Sequence, residues 1–590
     1  MEEVKHGKKL GQFFSTALSG NDILSSSLYV SGIAAIFSGV YAPLVLLIVG
    51  LVLFFYKNVY REVVEALPIN GGAYNVLLNG TAKPLAALAG VMTILSYVAT
   101  AVISSKTAVE YLFKFLEKIF ANGESGPQLG VLIIPFIILI LLGFAILVIS
   151  GVKDSAKVAS AIFIFHIITL ASFIIFGLIF LFTNSQVLNL NILDTAPLVQ
   201  NNGGLFPTIV LAFSASLLGV SGFESSANFV EEQKKGVFKK TLRNMLIGVM
   251  IFNPLIAMVV LNILPIGSII VAKDFLLAEA AFKLGGIVLL GWIAIDAFLV
   301  LCGAVLTSYV GVSGLMNRMA LDDCLPNFLS KENSRGSHPR IIILFFLLCT
   351  SILLVTRGDL LSLAGVYTIS FLGVMTLFAL GNLILRRTRS ELKRPYKAPL
   401  FFVIAAFIST TIGLIGNSVI DLKNDAYFLF YFIPAITIVF SIIYRKELLK
   451  VVLPLFKNNR TIYNWISDRY FESIRTSYYV FVHNTSRLYS ILEYINRNEN
   501  GSHVLIIACK DKDNSAEMSK VKKILPCLKE AGVLPHLNIE YTYIDKEFGP
   551  DVVDEVAKTY KINKNKIFIG ALHHHNDFNY DELGGVRIVF

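Results

Sequence analysis

Residues 15–37 read STALSGNDILSSSLYVSGIAAIF, an apolar stretch with serines and a glycine gathered near its middle and Asp22 beside them. Residues 210–232 read VLAFSASLLGVSGFESSANFVEE and repeat this arrangement with Glu224. Small polar residues and a carboxylate at mid-depth do not belong in a simple lipid-facing helix. We therefore predict that both stretches are transmembrane helices that are interrupted at their centres.

The composition places most of the chain in a membrane. Apolar residues make up 55% of the 590 residues and charged residues only 16%, which is outside the range of soluble globular proteins. The apolar stretches are long enough to span a bilayer as helices, and they stop after residue 444. They predict an all-α polytopic membrane protein with about twelve transmembrane helices. The predicted spans are 13–38, 42–56, 85–113, 130–150, 156–182, 205–230, 244–264, 284–317, 340–355, 359–385, 399–420 and 426–444.

The two interrupted helices are the first and the sixth of these spans, five spans apart. This spacing indicates a 5+5 inverted repeat, in which a five-helix unit is used twice with opposite orientation. Its interrupted helices would meet near the bilayer midplane and form a substrate site. Serine and glycine alone would more often serve close helix packing. The carboxylates favour a site, because a charge at mid-membrane costs several kcal/mol unless it has partners or a task.

Lys and Arg are concentrated in the loops after the even-numbered spans, above all in QKKGVFKKTLR (233–243) and RRTRSELKRPYK (386–397). The positive-inside rule then predicts a multi-pass protein of the cell membrane with both termini in the cytoplasm. The same bias explains the net charge of +10, so no nucleic-acid partner is expected. The five cysteines form no C-x-x-C pair and predict neither disulfides nor a metal site.

The composition changes after Tyr444 and divides the chain into three regions. Residues 1–445 are predicted to be the transmembrane transporter domain. Residues 446–476 are basic and aromatic, and this amphipathic linker could lie along the inner membrane surface or be an ordinary connector. In residues 477–590 strands alternate with helices, which predicts a cytoplasmic α/β domain with a parallel, doubly wound sheet. The predicted helices of this domain lie near 484–498, 515–532 and 550–561.

Oxygen-bearing side chains recur along the first and third spans. Asp22 and Tyr29 are two helical turns apart on one face, and Tyr97, Thr100 and Ser104 share a face of the third span. One carboxylate with several hydroxyls suits a desolvated monovalent cation better than an anion or an apolar ligand. Alternatively, Asp22 could cap the second half of its helix, and the hydroxyls could bond to nearby backbone carbonyls.

Two strings, GGAYNVLLNG (71–80) and GFESSANFVEEQKKG (222–236), resemble the amino acid, polyamine and organocation (APC) superfamily of transporters. This resemblance implies a LeuT-like fold. The order Asp-x6-Tyr in the first span with Tyr-x2-Thr-x3-Ser in the third resembles the potassium site of the KUP and KimA types of importer. A tyrosine that these importers carry in span ten is missing, since Leu363 stands there with Tyr367 one turn away. The resemblance implies an ion site lined by Asp22, Tyr29, Tyr97, Thr100, Ser104 and Ser221.

Other features resemble the amino acid permeases of the same superfamily. The string DSAKVASAIFIFH (154–166) resembles the entry to their fifth helix, where a lysine often acts in proton coupling. His166 stands there and could move protons, or it could be a packing histidine. Glu224 is predicted first to hold its broken helix by hydrogen bonds and second to couple protons. Lys106 is predicted to snorkel to the interface. The first helix lacks the Gly-x-Gly that binds an amino acid carboxylate, and Asp22 would repel that group.

Residues 477–590 resemble the universal stress protein-like domains attached to some of these transporters. In KimA-like importers such a domain mediates dimerisation and binds cyclic di-AMP, which implies a homodimer and a cyclic dinucleotide or nucleotide regulator here. No Gly-x2-Gly-x9-Gly phosphate loop occurs in this stretch. The run His573, His574 and His575 lacks the i, i+4 spacing of helical metal ligands and is predicted to be a solvated loop.

Three hypotheses about function remain. The leading one is a proton-coupled importer of a small cation, potassium above all, that works by alternating access across the lipid bilayer. The second is a proton-coupled amino acid permease, in which the serine and glycine breaks bind the substrate backbone. The third is a transporter-like membrane sensor, which would bind a ligand without moving it. No nucleophile, base and acid spacing indicates an enzyme.

Overall fold

The computed structural model of the chain describes residues 9–590 except 69, 121–128, 152–155, 184–185, 231, 391, 475, 483–487, 500, 502, 511–536, 571–582, 584 and 590. The chain forms two compact units. The first comprises Met1–Gly80, Leu88–Asn317 and Phe328–Ile436. The second comprises Thr81–Ala87, Arg318–Asn327 and Thr437–Phe590.

Helices account for most of the chain up to residue 443. They are α1 (Gln12–Ser25), α2 (Ser27–Ser38), α3 (Ala42–Ala66), α4 (Gly72–Gly80), α5 (Lys83–Phe120), α6 (Ile133–Ile149), α7 (Ala156–Thr183), α8 (Gln186–Asn201), α9 (Leu205–Ser216), α10 (Phe238–Ile263), α11 (Ile266–Val271), α12 (Leu276–Leu321), α13 (Pro339–Val355), α14 (Leu360–Thr388), α15 (Leu400–Ile420) and α16 (Leu422–Ile443). Many of their apolar side chains are exposed on the surface, as in a protein that faces lipid.

Nine helices in the described part of the chain are long and apolar enough to cross a membrane, or ten if the bent pair α8 and α9 forms one span. One of the nine is the continuous stretch Gln12–Ala66, which joins α1, α2 and α3 and contains the first two predicted spans. The helix α13 falls just short of the required length. The prediction of a polytopic helical membrane protein is thus confirmed. The count of about twelve spans and the inverted repeat stay predictions.

At the first predicted interruption, α1 and α2 are separated by the single residue Ser26, whose backbone dihedrals stay helical at φ −63° and ψ −24°, so the helix is only locally irregular there. The hydroxyls of Ser25, Ser26 and Ser27 donate to the carbonyls of the third residue before each, at 2.8, 2.7 and 2.6 Å. Serine hydroxyls offer these carbonyls an alternative to the regular helical ladder. The serine cluster therefore satisfies its own backbone locally and marks the break.

The second predicted interruption is present after α9. A 3₁₀ turn covers Leu217–Val220, Ser221 is extended, and Gly222 adopts a φ of +86°, which favours glycine. The two breaks meet, because the hydroxyl of Ser26 also lies 3.2 Å from the carbonyl oxygen of Gly219. The sequence prediction that the interrupted helices come together is therefore confirmed.

The second unit contains helices α17 (Arg445–Val452), α18 (Arg460–Ile474), α19 (Leu488–Asn498) and α20 (Pro550–Thr559) and strands β1 (Ser477–Val482), β2 (His503–Cys509), β3 (Asn538–Ile544), β4 (Ile567–Gly570) and β5 (Arg587–Val589). The strands form one parallel sheet in the order β3-β2-β1-β4-β5. One face of the sheet packs on valines of α20. The predicted parallel α/β arrangement is confirmed. The helix predicted at 515–532 and the run His573–His575 lie outside the described residues.

A buried cluster of charged side chains lies within the second unit and centres on Arg587, which is only 2% exposed. Its guanidinium donates to Glu499 at 2.5 Å, to the carbonyl of Leu321 at 3.0 Å and to Asp323 at 3.3 Å. The Nζ atom of Lys83 lies 2.6 Å from the same Glu499. Cations and carboxylates thus alternate in a region with little access to water.

Asp323 joins this cluster from the loop after α12. Burial alone would raise the pKa of its carboxyl, but the charges of Arg587 and Lys566 outweigh burial and hold that pKa well below its usual range. Lys566 lies 2.5 Å from Asp323. The cluster therefore keeps its carboxylate ionised and hydrogen-bonded in the folded unit.

Candidate functional site

The two helix breaks are in direct contact at Asp22 and Gly222. A Cβ atom added to Gly222 would lie 2.8 Å from Cγ of Asp22 and 3.0 Å from its Oδ2. Glycine is therefore needed at this position both for its positive φ and for the space that the carboxylate occupies. The hydroxyl of Ser225 donates to the carbonyl of Gly222 at 2.6 Å, and its oxygen also lies close to the Asp22 side chain.

Two buried tyrosines converge on Ser221 in the second break. The Ser221 side chain lies close to the hydroxyl groups of Tyr29 on α2 and of Tyr367 on α14. The negative charge of Asp22 also acts on the hydroxyl groups of both tyrosines. The sequence suggested Leu363 where a span-ten tyrosine was expected, but the structure brings Tyr367 into the cluster instead. Tyr367 therefore brings a hydroxyl near Ser221 from one turn further along α14.

Tyr97 reaches the same cluster from α5. Asn228 donates to its hydroxyl, and its ring lies so close to Gly311 on α12 that an added Cβ would come within 2.7 Å of the hydroxyl oxygen. Tyr97 feels the charges of both Asp22 and Glu224. The structure therefore brings Asp22, Tyr29, Tyr97 and Ser221 together.

The other two predicted hydroxyls of α5 are not tied to this cluster by any contact in the described part of the chain. Thr100 donates to the carbonyl of Ser96 at 2.8 Å, the local backbone bond that the alternative interpretation anticipated. Ser104 is buried. Their place in an ion site stays a prediction that rests on the resemblance.

Glu224 opens the 3₁₀ turn Glu224–Asn228 directly after the second break. Its carboxylate lies close to the backbone N–H groups of Gly222 and of Glu224 itself, which is compatible with the predicted role of holding the broken helix. Its Oε2 is buried without a hydrogen-bond partner among the described residues. The negative charge of Asp22 acts on Glu224, and no cationic side chain acts on either carboxylate within the described residues. Such a pair favours a proton or a bound cation.

His166 is fully buried and paired with Asp296, a residue that the sequence reasoning missed. The Nδ1 atom of His166 lies 2.7 Å from Oδ2 of Asp296, and Nε2 lies 3.3 Å from the carbonyl oxygen of Leu24 at the first break. Because a carbonyl oxygen can only accept, Nε2 of His166 is the donor in the contact with Leu24. Asp296 is an acidic residue within the apolar sequence WIAIDAFLV (292–300), and that signal could have revealed it.

Lys106 does not snorkel to the interface, so that prediction was wrong. Its side chain is buried, with Nζ 2.5 Å from Asp274 and 3.3 Å from Glu110. Two carboxylates thus compensate the burial of the ammonium group. Lys106 and Glu110 both lie on α5, the helix that also carries Tyr97.

The nucleotide site predicted for the second unit would lie at residues outside the described part of the chain. In a doubly wound sheet, ligands bind beyond the carboxyl ends of the strands where the strand order reverses, here β1 and β4. The residues that follow these strands, 483–487 and 571–582, lie outside the described part. Among the described residues no group of three or more His, Cys, Asp or Glu could hold a metal ion.

Comparison with known proteins identifies the relatives of the chain. The model of a family described as amino acid permease matches residues 10–444. The branched-chain amino acid permease BcaP of Bacillus subtilis (strain 168) is 21% identical over 405 residues, which cover 66% of this chain and 84% of BcaP. The crystal structure of a manganese transporter mutant of Eremococcus coleocola superimposes with a TM-score of 0.47 and 12% identity over 73% of this chain and 93% of that one.

Proposed function

Because the chain belongs to the amino acid permease family, we propose that it is a secondary active transporter whose cargo is a small monovalent cation, with potassium as the specific candidate. The cation would move inward with protons by alternating access across the cell membrane, with both termini in the cytoplasm. The observation that carries this proposal is the pair of carboxylates, Asp22 and Glu224, which have no cationic partner in the described structure and lie among tyrosine and serine hydroxyls.

The cluster suits a monovalent cation for electrostatic reasons. The Asp22 carboxylate would supply the charge, and hydroxyls of Tyr29, Ser221 and Tyr367 would replace hydrating water. A substrate carboxylate placed beside Asp22 would instead meet repulsion of about 4 kcal/mol at 4 Å in a medium with an effective dielectric constant near 20. The first break also offers few free groups, since its serine hydroxyls already bond to backbone carbonyls.

Flux measurements in proteoliposomes test this function. We expect the reconstituted full-length chain to take up potassium and its analogue rubidium along an inward proton gradient, and to leave a panel of twenty radiolabelled amino acids outside. A pH-sensitive dye inside the vesicles reports the accompanying protons. Amino acid uptake without potassium flux would contradict the proposal. Ligand binding without any flux would identify a sensor instead.

A proton-coupled amino acid permease is the second candidate, and the family match and the relative BcaP favour it. The buried pair of His166 and Asp296 would couple protons to the transport of either a cation or an amino acid. The pair contacts the first break through the carbonyl of Leu24, and we propose that it carries the exchangeable proton. Loss of that proton would leave the His166 Nδ1 lone pair facing a carboxylate, and this would weaken the contact. The protonation state of the pair can therefore bias the position of the first helix.

His166→Gln should uncouple transport from protons. Glutamine can still donate to the Leu24 carbonyl but cannot titrate, so we expect exchange of substrate across the membrane to persist while accumulation driven by a pH gradient falls at least tenfold, which corresponds to about 1.4 kcal/mol. Measuring substrate exchange and gradient-driven uptake on the same preparation separates transport itself from its coupling to protons. The matched control is His338→Gln, because His338 lies in the loop before α13. Unchanged accumulation by His166→Gln would exclude the pair from coupling.

For the second unit we propose a regulatory role in the same transporter. Its parallel sheet is compatible with the nucleotide-binding type that the sequence resembles. A cyclic dinucleotide or nucleotide as regulator, and a homodimer formed through this unit, follow from that resemblance. Isothermal titration of the full-length chain with cyclic di-AMP and ATP, with the molar mass measured by light scattering, would test both.

A further inference from the structure

Helices α17 and α18 present an unusual surface directly after α16, the last candidate membrane span. Neither α17 nor the 3₁₀ turn Leu453–Phe456 that follows it has a buried residue. α18 packs back against both, so the three elements form a helical hairpin. We call residues 444–474 the interfacial hairpin.

Four exposed apolar side chains of the interfacial hairpin have the spacing of one helical face. Tyr444, Leu448, Val451 and Leu455 follow at spacings of four, three and four residues, the spacing of one helical face. Val451 is 67% exposed and Leu455 75% exposed. Trp465 on α18 is 61% exposed. So much exposed apolar surface in a short segment marks an interaction site.

The charges of the interfacial hairpin identify the kind of partner. Six basic residues stand against three acidic ones, Glu447, Asp468 and Glu472. The basic residues are Arg445, Lys446, Lys450, Lys457, Arg460 and Arg469. A basic helix with an apolar face that carries tryptophan and leucine is typical of segments that lie in the plane of a membrane surface. Clusters of Lys and Arg next to a transmembrane helix attract anionic lipid headgroups.

We propose that the interfacial hairpin binds anionic phospholipid, with its apolar face at the acyl boundary and its basic side chains on the headgroup phosphates. Chain continuity supports a lipid rather than a protein as the occupant, because α17 begins two residues after the candidate span α16 ends at Ile443. The excess of basic over acidic side chains is complementary to an anionic surface. This inference is independent of the cargo of the transporter.

The two tryptophans of the chain allow a direct test. They are Trp292 and Trp465. Trp292→Phe leaves Trp465 as the single tryptophan of the full-length protein, so its emission can be followed by excitation at a wavelength that tyrosine does not absorb. The protein is reconstituted into vesicles that contain brominated phosphatidylcholine or brominated phosphatidylglycerol. We expect brominated lipid to quench Trp465, about twofold more strongly with the anionic lipid, and acrylamide in the water to quench it weakly. Trp292 donates to Thr169, so the difference between wild type and Trp465→Phe repeats the measurement without disturbing that bond.

A triple variant, Lys446→Gln, Lys450→Gln and Lys457→Gln, separates the charge from the apolar contact. It should remove the preference for phosphatidylglycerol and keep quenching by both lipids. The same change at three exposed lysines of the α/β part, Lys546, Lys558 and Lys561, is the matched control and should leave the preference intact. Strong quenching by acrylamide alone would show a solvated hairpin. Protection from both quenchers would show a second copy or another protein as the occupant. Either result, or equal quenching by both lipids in the wild type, would overturn the proposal.

Discussion

Asp22→Asn should abolish potassium uptake while the protein still inserts and folds. The amide has nearly the same size as the carboxylate, so the contact with Gly222 is kept. The charge that would attract the cation is lost. A cation and a carboxylate 4 Å apart attract each other by about 4 kcal/mol at an effective dielectric constant near 20, so we expect initial rates at low potassium to fall at least a hundredfold. Rubidium uptake into proteoliposomes, measured over a range of concentrations, gives the size of the effect.

The control for Asp22→Asn is Asp194→Asn, because Asp194 is an exposed carboxylate on α8 in the same unit. It should transport like the wild type. Size-exclusion profiles and thermal unfolding in detergent establish that both variants are folded. Full uptake by Asp22→Asn would remove the cation site from this position. Loss of amino acid uptake in the same variant, without potassium flux in the wild type, would transfer the site to the second candidate function.

Local spacing explains which part of the candidate site could be predicted. Asp22 and Tyr29 belong to one interrupted helix, and Tyr97 lies on the polar face of α5, so helical periodicity alone placed them in the interior. Tyr367 was misjudged because its distance from Ser221 depends on how α14 is rotated and shifted against the second break. A linear sequence does not determine that shift of one turn.

Helical periodicity could not predict which residues distant in the sequence are the partners of the candidate side chains. His166 was a candidate, but its partner Asp296 is 130 residues away in the sequence and could not be paired with it by periodicity. Lys106 was misplaced for the same reason, since Asp274 reaches it from a separate segment. A charged residue in an apolar helix signals that a partner exists, and only the fold shows which residue it is.

The charge cluster of the second unit supplies the other large expected effect. Arg587→Met should destabilise this unit by about 3 kcal/mol, because removal of one member of a buried ion-pair network leaves its partners uncompensated. Arg587 contacts Glu499 and Asp323, and methionine fills a similar volume without charge. Opening of the sheet should then be about a hundredfold more frequent. The readout is the alkylation rate of a thiol within the sheet of the full-length chain in detergent.

Cys509 on β2 provides that thiol. Burial raises its pKa to about 12 in the folded unit, so it is almost entirely protonated and unreactive at pH 8, whereas an exposed cysteine with a pKa near 8.5 is partly thiolate. Mass spectrometry of the Cys509 peptide after iodoacetamide pulses therefore measures opening of the sheet. Arg587→Lys keeps the charge but loses the forked geometry and should fall between wild type and Arg587→Met. Arg497→Met, at an exposed arginine of α19, is the matched control and should label at the wild-type rate. Equal labelling of Arg587→Met and Arg497→Met would mean that the buried charges contribute little to the stability of the unit, since a network that holds the sheet closed cannot lose its central cation without consequence.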